Sequence, residues 1–131
     1  MPLNPDLVGK TYPARSFALD ADRVAAFAGA VGHPGGGVPP TFVTAAEFEA
    51  LAHVVGDPEL GLDYSRVVHG QQEYEWRRPL VAGETLATQT SIETIRARGE
   101  LEFLTLRTDV RDGSGRVVVV ARSTMIVRGG R

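Results

Sequence analysis

The sequence predicts an α+β domain built on one antiparallel sheet. Two amphipathic helix patterns fall in the first half of the chain, and four strand-like segments fill the second. Short Gly-containing breaks separate the last three segments, while a Pro and a Gly separate the first two. The 131 residues are read as one domain, 1–131, long enough to bury a real core.

Residues 11–19 (TYPARSFAL) read as a first strand, with Tyr12, Phe17 and Leu19 as its buried positions. Asp20 suits a helix N-cap. Val24, Phe27, Ala28 and Val31 then recur at helical spacing, and Gly32 ends that helix. Residues 33–40 (HPGGGVPP) are too rich in Gly and Pro for regular structure. In the second helix, Thr44 and Glu47 have the spacing of a capping box, each side chain satisfying a free N–H of the first turn. Phe48, Leu51, Ala52 and Val55 form its apolar face, Glu47, Glu49 and His53 its polar face, and Gly56 its stop.

Residues 57–66 are a connection. Strands are expected over 67–78, 84–95, 101–110 and 116–127. Between the first two, Pro79 cannot continue a central ladder, and Gly83 frees the backbone for a turn. Arg98-Gly99-Glu100 and Asp112-Gly113-Ser114-Gly115 mark hairpins, giving a four-stranded meander. Leu104, Leu106 and Val110 alternate with Thr105, Arg107 and Asp109, as in a half-buried strand. The last segment, VVVVARSTMIV, is apolar on both faces near its start and reads as a central strand. The simplest packing curves five strands around the second helix.

Composition narrows the function classes. Apolar residues make up 43% and charged residues 23%, ordinary for a globular protein. A formal net charge of -2 leaves no basic footprint for nucleic acid and no polybasic membrane anchor. Lys10 is the only lysine beside thirteen arginines. With no cysteine there is no disulfide, thiolate nucleophile or Cys-ligated zinc. The N-terminal MPLNPDLVGK has no apolar core of a secretory signal, and no apolar run approaches the ~20 residues of a membrane span. A cytoplasmic location is the default expectation. No pair of histidines has metal-ligand spacing, so neither a metal nor another cofactor is expected.

The stretch VVHGQQEYEWRRPLVAGETL, Val67 to Leu86, carries most of a family resemblance. With it go Leu7-Val8-Gly9-Lys10, Ala28 to Gly32, and Pro39-Pro40-Thr41-Phe42. In order and spacing these pieces resemble the MaoC-like dehydratases, closest to their N-terminal type, the FAS1-like dehydratase domain. That group includes non-catalytic partner subunits of mycobacterial (3R)-hydroxyacyl-ACP dehydratases. The resemblance covers nearly the whole chain. It implies a hot-dog fold, a curved five-stranded antiparallel sheet wrapped around a central helix. It also implies a dimer joined at sheet edges and an acyl thioester of coenzyme A or acyl carrier protein as substrate. The implied reaction is reversible loss of water from a (3R)-3-hydroxyacyl chain.

That reaction needs a base for the C2 proton and an acid for the leaving hydroxyl. The catalytic branch of the superfamily supplies them from a closely spaced Asp and His just after the first helix. Here His33 stands in the place of the Asp, and Val38 falls near that of the His. The loop is also shorter than the family's. The dyad is therefore missing, and the expected role is a subunit that contributes dimer interface and acyl tunnel. Its partner would be a dyad-bearing MaoC-like subunit, or a second copy of this chain. His69 and His33 are the catalytic candidates that remain. Gln71, Gln72, Tyr74, Trp76 and Arg78 are the candidates for substrate binding, the aromatics as acyl-tunnel lining and the arginine for a phosphate. Tyr74 and Trp76 also fit a plain buried aromatic stripe. Arg77 and Arg78 fit either a bound phosphate or surface ion pairs with Glu73 or Glu75. Gly35-Gly36-Gly37 lacks the rest of a phosphate loop, and Ser65 with Asp63 near His69 lacks a nucleophile elbow. The alternatives are a homodimeric hot-dog thioesterase, drawing on Glu47 or Glu49, and a non-enzymatic acyl-thioester-binding protein.

Overall fold

The computed structural model describes residues 2–129. Its strands are β1 (Arg15–Ala18), β2 (Val67–Trp76), β3 (Thr85–Arg98), β4 (Leu101–Arg111) and β5 (Val117–Arg128). They form one antiparallel sheet in the order β1-β3-β4-β5-β2. Helices α1 (Ala21–Val31) and α2 (Val43–Val55) lie between β1 and β2 in the chain.

The expected meander holds only for β3, β4 and β5. β2 pairs with β5 at the far edge, not with β3. The connection between β2 and β3 must therefore cross the ends of β5 and β4, three strand spacings or roughly 14 Å. Residues 77–84 are long enough to do so. Leu80 anchors the crossing in the core, and Gly83, at φ 92, donates its N–H to the Leu19 carbonyl at 2.6 Å. Arg78 fastens it, bonding Glu84 at 2.7 and 3.0 Å and reaching Asp112 in the β4–β5 turn at 3.4 Å.

Asp20 caps α1 by accepting from the Arg23 N–H at 3.0 Å. Val24 is buried, as expected, but Val31 is 52% exposed. α2 departs further from the sequence reading. No side chain caps it, because a 3-10 turn over Pro40–Phe42 runs directly into its first turn. Its buried residues are Val43, Ala46, Ala50, Leu51 and Val54. Of the expected face only Leu51 is buried; Phe48 is 56% exposed and Val55 37%. The helix is apolar almost all round, so periodicity does not fix its rotation. Ala46 and Ala50, with almost no side chain, let the backbone approach the sheet. The rotation turns Glu47 away from solvent. His53 is half-buried rather than solvated, with Nε2 shielded and without a hydrogen-bond partner.

The interior has two apolar halves. One gathers Leu51, Val54, Ile92, Leu104, Leu106 and Met125. The other gathers Phe17, Phe42, Val43, Ala46, Val110 and Val119. Between them, on the face toward α2, runs the register row Thr90, Thr108, Ala121 and Tyr74. The Thr90 and Thr108 hydroxyls bond each other at 2.9 Å within this buried row.

Asp57, just past α2, ties the chain before β1 to the core. It accepts from Lys10 Nζ and from the Tyr12 hydroxyl, both at 2.7 Å. Burial alone pushes the Asp57 carboxyl up, but these two donors and the Glu59 backbone N–H outweigh it and hold the group below its ordinary range. Its stabilisation is present above the ordinary value of 3.8 and is lost as the pH falls through the depressed one. Asp57→Ala orphans the buried Tyr12 hydroxyl and is expected to cost about 2 kcal/mol. Urea unfolding checks this at pH 7, and the gap to wild type should narrow below pH 3.8.

Candidate functional site

Edge strand β2 sorts the expected site residues by face. His69, Gln72, Tyr74 and Trp76 pair in register with Met125, Ser123, Ala121 and Val119 of β5 and share the face toward α2. Gln71 pairs with Thr124 and belongs to the outer face. The switch occurs at a bulge between His69 and Gln71. Gly70 fits there because a Cβ would sit 2.8 Å from Ile126 Cδ1. The bulge re-aims His69 toward the interior side, as bulges beside functional sites do.

The side chains that meet are Thr44 and Glu47 of α2 with Gln72 and Tyr74 of β2. Glu47 Oε1 accepts from the Tyr74 hydroxyl at 2.8 Å and from Gln72 Nε2 at 3.2 Å. Its Oε2 accepts from Gln72 at 3.0 Å. Thr44 Oγ1 lies 2.7 Å from the Tyr74 oxygen. The two residues with capping-box spacing thus bond across to the sheet instead of to their own helix. His69 Nε2 is 3.2 Å from Ser123 Oγ and 3.1 Å from the Gln71 carbonyl.

Burial raises the Glu47 pKa, opposed by the bonds from Tyr74 and Gln72 and by the charge of His69. Among carboxyls with a resolved shift, Asp57, Asp63, Glu84 and Asp112 are held low and Glu47 alone is raised. Burial also pushes the Tyr74 phenol up, further helped by the Glu47 charge, so Tyr74 stays a donor at neutral pH. Beneath Glu47 lies a cavity of about 30 Å³, lined by Thr90, Thr108, Ser123, Leu51 and Met125 among others. A raised carboxyl with fixed partners beside a cavity has the physical marks of a functional group.

The other expected residues stand apart. His33 is half-buried on the loop after α1 and makes no side-chain hydrogen bond among the described residues. Trp76 is 36% exposed, its ring centroid 6.2 Å from that of Tyr74. With Val38, Pro40, Arg77 and Leu80 it borders a surface pocket of about 360 Å³. Arg77 bonds Glu75 at 3.0 Å, the surface pair weighed from sequence. The Arg78 guanidinium is committed to Glu84 and Asp112. Ser65 bonds Asp63 locally at 2.6 Å as part of a turn. No cluster of three or more metal-ligating side chains occurs among the described residues.

The sequence pattern pairs Thr44 with Glu47 only as a capping box and puts Glu47 on the polar face of α2; it does not bring either to Thr90, Thr108 and Ser123. One signal was available: threonines at 88, 90 and 108 occupy positions that alternation assigns to the buried face.

If Glu47 resists ionisation in the fold, its charge weighs against the folded state. The penalty is absent well below 4.5 and grows as the pH rises from there through the raised value. Relative to wild type, Glu47→Gln should therefore gain stability from pH 4 to pH 7. Urea midpoints at the two pH values test it; a gap independent of pH would leave Glu47 ordinarily ionised.

Known proteins bear on this geometry. Residues 21–121 match the family model for the FAS1-like, dehydratase domain region. A UPF0336 protein of Saccharopolyspora erythraea is 36% identical over 98% of this chain and 94% of its own length. Another, from Streptomyces coelicolor, is 37% identical over 98% and 97%. Among solved structures, the HadBC (3R-hydroxyacyl-ACP dehydratase) complex of Mycobacterium tuberculosis is similar at a TM-score of 0.79. It is 20% identical, over 92% of this chain and 97% of that one. The (R)-hydratase of A. caviae is similar at 0.64 and 18% identity, over 90% and 94%. At such identities the structures establish the fold, which is the hot-dog fold. The family match and the close relatives establish more: the chain belongs to the FAS1-like dehydratase domain region family.

Proposed function

We propose that the chain is a cytoplasmic subunit of a (3R)-3-hydroxyacyl-thioester dehydratase or hydratase, without an acid–base dyad of its own. The observation that carries this is the loop after α1. Where the resemblance requires a paired Asp and His, the chain has His33, with no side-chain partner among the described residues, and Val38. The likeness to a subunit chain of the HadBC complex supports a paired assembly. So does edge strand β2, ten residues long with one side of its backbone unpaired among the described residues, beside α2 with Phe48 and Val55 exposed. In this role the chain shapes and closes the acyl site. The partner, a dyad-bearing MaoC-like subunit, moves the protons: its base takes the C2 proton and its acid protonates the departing hydroxyl. The thioester carrier is coenzyme A or acyl carrier protein.

The test is hydration of a crotonyl thioester, followed by loss of the enoyl absorbance. The chain alone should be at least ~100-fold slower than its mixture with a dyad-bearing partner, the scale of positioned acid–base catalysis. Full activity of the chain alone, unchanged in His33→Ala and His69→Ala, would overturn the reading.

Glu47 favours a second reading, a homodimeric thioesterase with this carboxyl as base. Release of free thiol from an acyl-CoA by the chain alone, abolished in Glu47→Gln, distinguishes it.

A further inference from the structure

The cavity under α2 combines two features that together describe an acyl group. The first is its size. About 30 Å³ is room for on the order of two waters, or for the end of a very small chain. Phe48 at its rim is largely exposed, so the cavity lies near the surface.

The second feature is the hydrogen-bond inventory of its walls. Thr90 and Thr108 share one hydrogen bond, and Ser123 is engaged with His69. Glu47 Oε1 accepts two bonds, from Tyr74 and Gln72, which fill its in-plane lone pairs. Oε2 accepts only one. Among the described residues Oε2 thus keeps an open acceptor position on the one carboxyl that lines this cavity, and a hydroxyl of suitable reach completes it. An alkyl chain in the same place leaves that oxygen facing methylenes, which costs the desolvation of a charged or polar group with nothing in return.

We propose that Glu47 is a specificity-determining residue. It admits a short acyl thioester whose 3-hydroxyl donates to Oε2 and refuses a long unfunctionalised alkyl tail. The proposal rests on the acyl-thioester reading above and adds to it the length and polarity of the acyl group. Gln72 and Tyr74 act as positioning residues, holding Oε1 so that Oε2 faces the ligand. Nothing in this role requires Glu47 to transfer a proton.

Calorimetric titration of the chain with three thioesters tests it: (3R)-3-hydroxybutyryl-CoA, butyryl-CoA and (3R)-3-hydroxydodecanoyl-CoA. The hydroxybutyryl thioester should bind about tenfold or more tighter than butyryl-CoA, the scale of one hydrogen bond to a charged acceptor. It should also bind tighter than the dodecanoyl compound. In Glu47→Leu the hydroxyl preference should vanish and the longer chain gain. The wild-type ranking needs no variant, so a poorly folded Glu47→Leu leaves the proposal open to refutation. Equal binding of all three, or a preference for the long chain, overturns the proposal while sparing the thioester reading. Binding of none of them, by the chain alone or paired with a dyad-bearing partner, overturns both.

Discussion

Glu47 carries a carboxylate into the space between a helix and a sheet, and the surroundings are arranged to accept it. Tyr74 and Gln72 donate to it from β2, and Thr44 steadies the Tyr74 hydroxyl one helical turn before Glu47. Leaving such a group without donors is far more costly than the net gain of making the bonds. The contact therefore constrains what lies on either side. α2 must keep the rotation that points Glu47 inward, which exposes Phe48 and buries Val43, Ala46 and Val54. β2 must keep the register that puts Gln72 and Tyr74 on the same face, which the bulge at Gly70 makes compatible with His69. An edge strand, the element least held by backbone pairing, is thereby held from its side chains.

The same contact explains why the core has two halves. A helix resting on a purely apolar sheet would merge them. Here the row of Thr90, Thr108 and Tyr74 lies under Glu47, and apolar packing resumes on either side. Each half has its own tether at the periphery. Asp57 fixes Lys10 and Tyr12 at one end, and Arg78 fixes Glu84 and Asp112 at the other. Arg78 had the sequence marks of a phosphate ligand. Its bidentate bonds to Glu84 instead secure the crossing from one sheet edge toward the other.

Local signals in the sequence survived folding well. Asp20 is the cap of α1, Tyr12, Phe17 and Leu19 are buried, and the run from Val117 to Ala121 lies in a central strand. What failed was whatever depended on distant partners. Thr44 and Glu47 have capping-box spacing, but the box competes with hydroxyl and amide donors that arrive from residues 72 and 74, and the longer-range bonds win. α2 has two overlapping apolar stripes, and only the sheet decides between them. The neighbour of β2 depends on whether residues 77–84 make a hairpin or a crossing, which Pro79 and Gly83 permit equally. The candidate site was legible on β2 and not on α2, because strand alternation assigns faces without knowing the partner and helical periodicity in a helix apolar almost all round does not.

The ion pair at Asp57 has a further chemical consequence. Thioesters acylate amines without enzymatic help, and the reactive species is the neutral amine. The sequence has a single side-chain amine, Lys10. Its ammonium is held against Asp57 at 2.7 Å and Glu59 at 3.2 Å. The bond to Asp57 raises its pKa, with burial opposing and Glu59 adding to the effect, so the nucleophilic form is rarer than for a free lysine. All other cationic side chains are guanidinium or imidazole, which do not form stable amides with thioesters. On the acyl-thioester reading proposed above, a protein of this composition offers activated acyl groups almost no side-chain amine to modify.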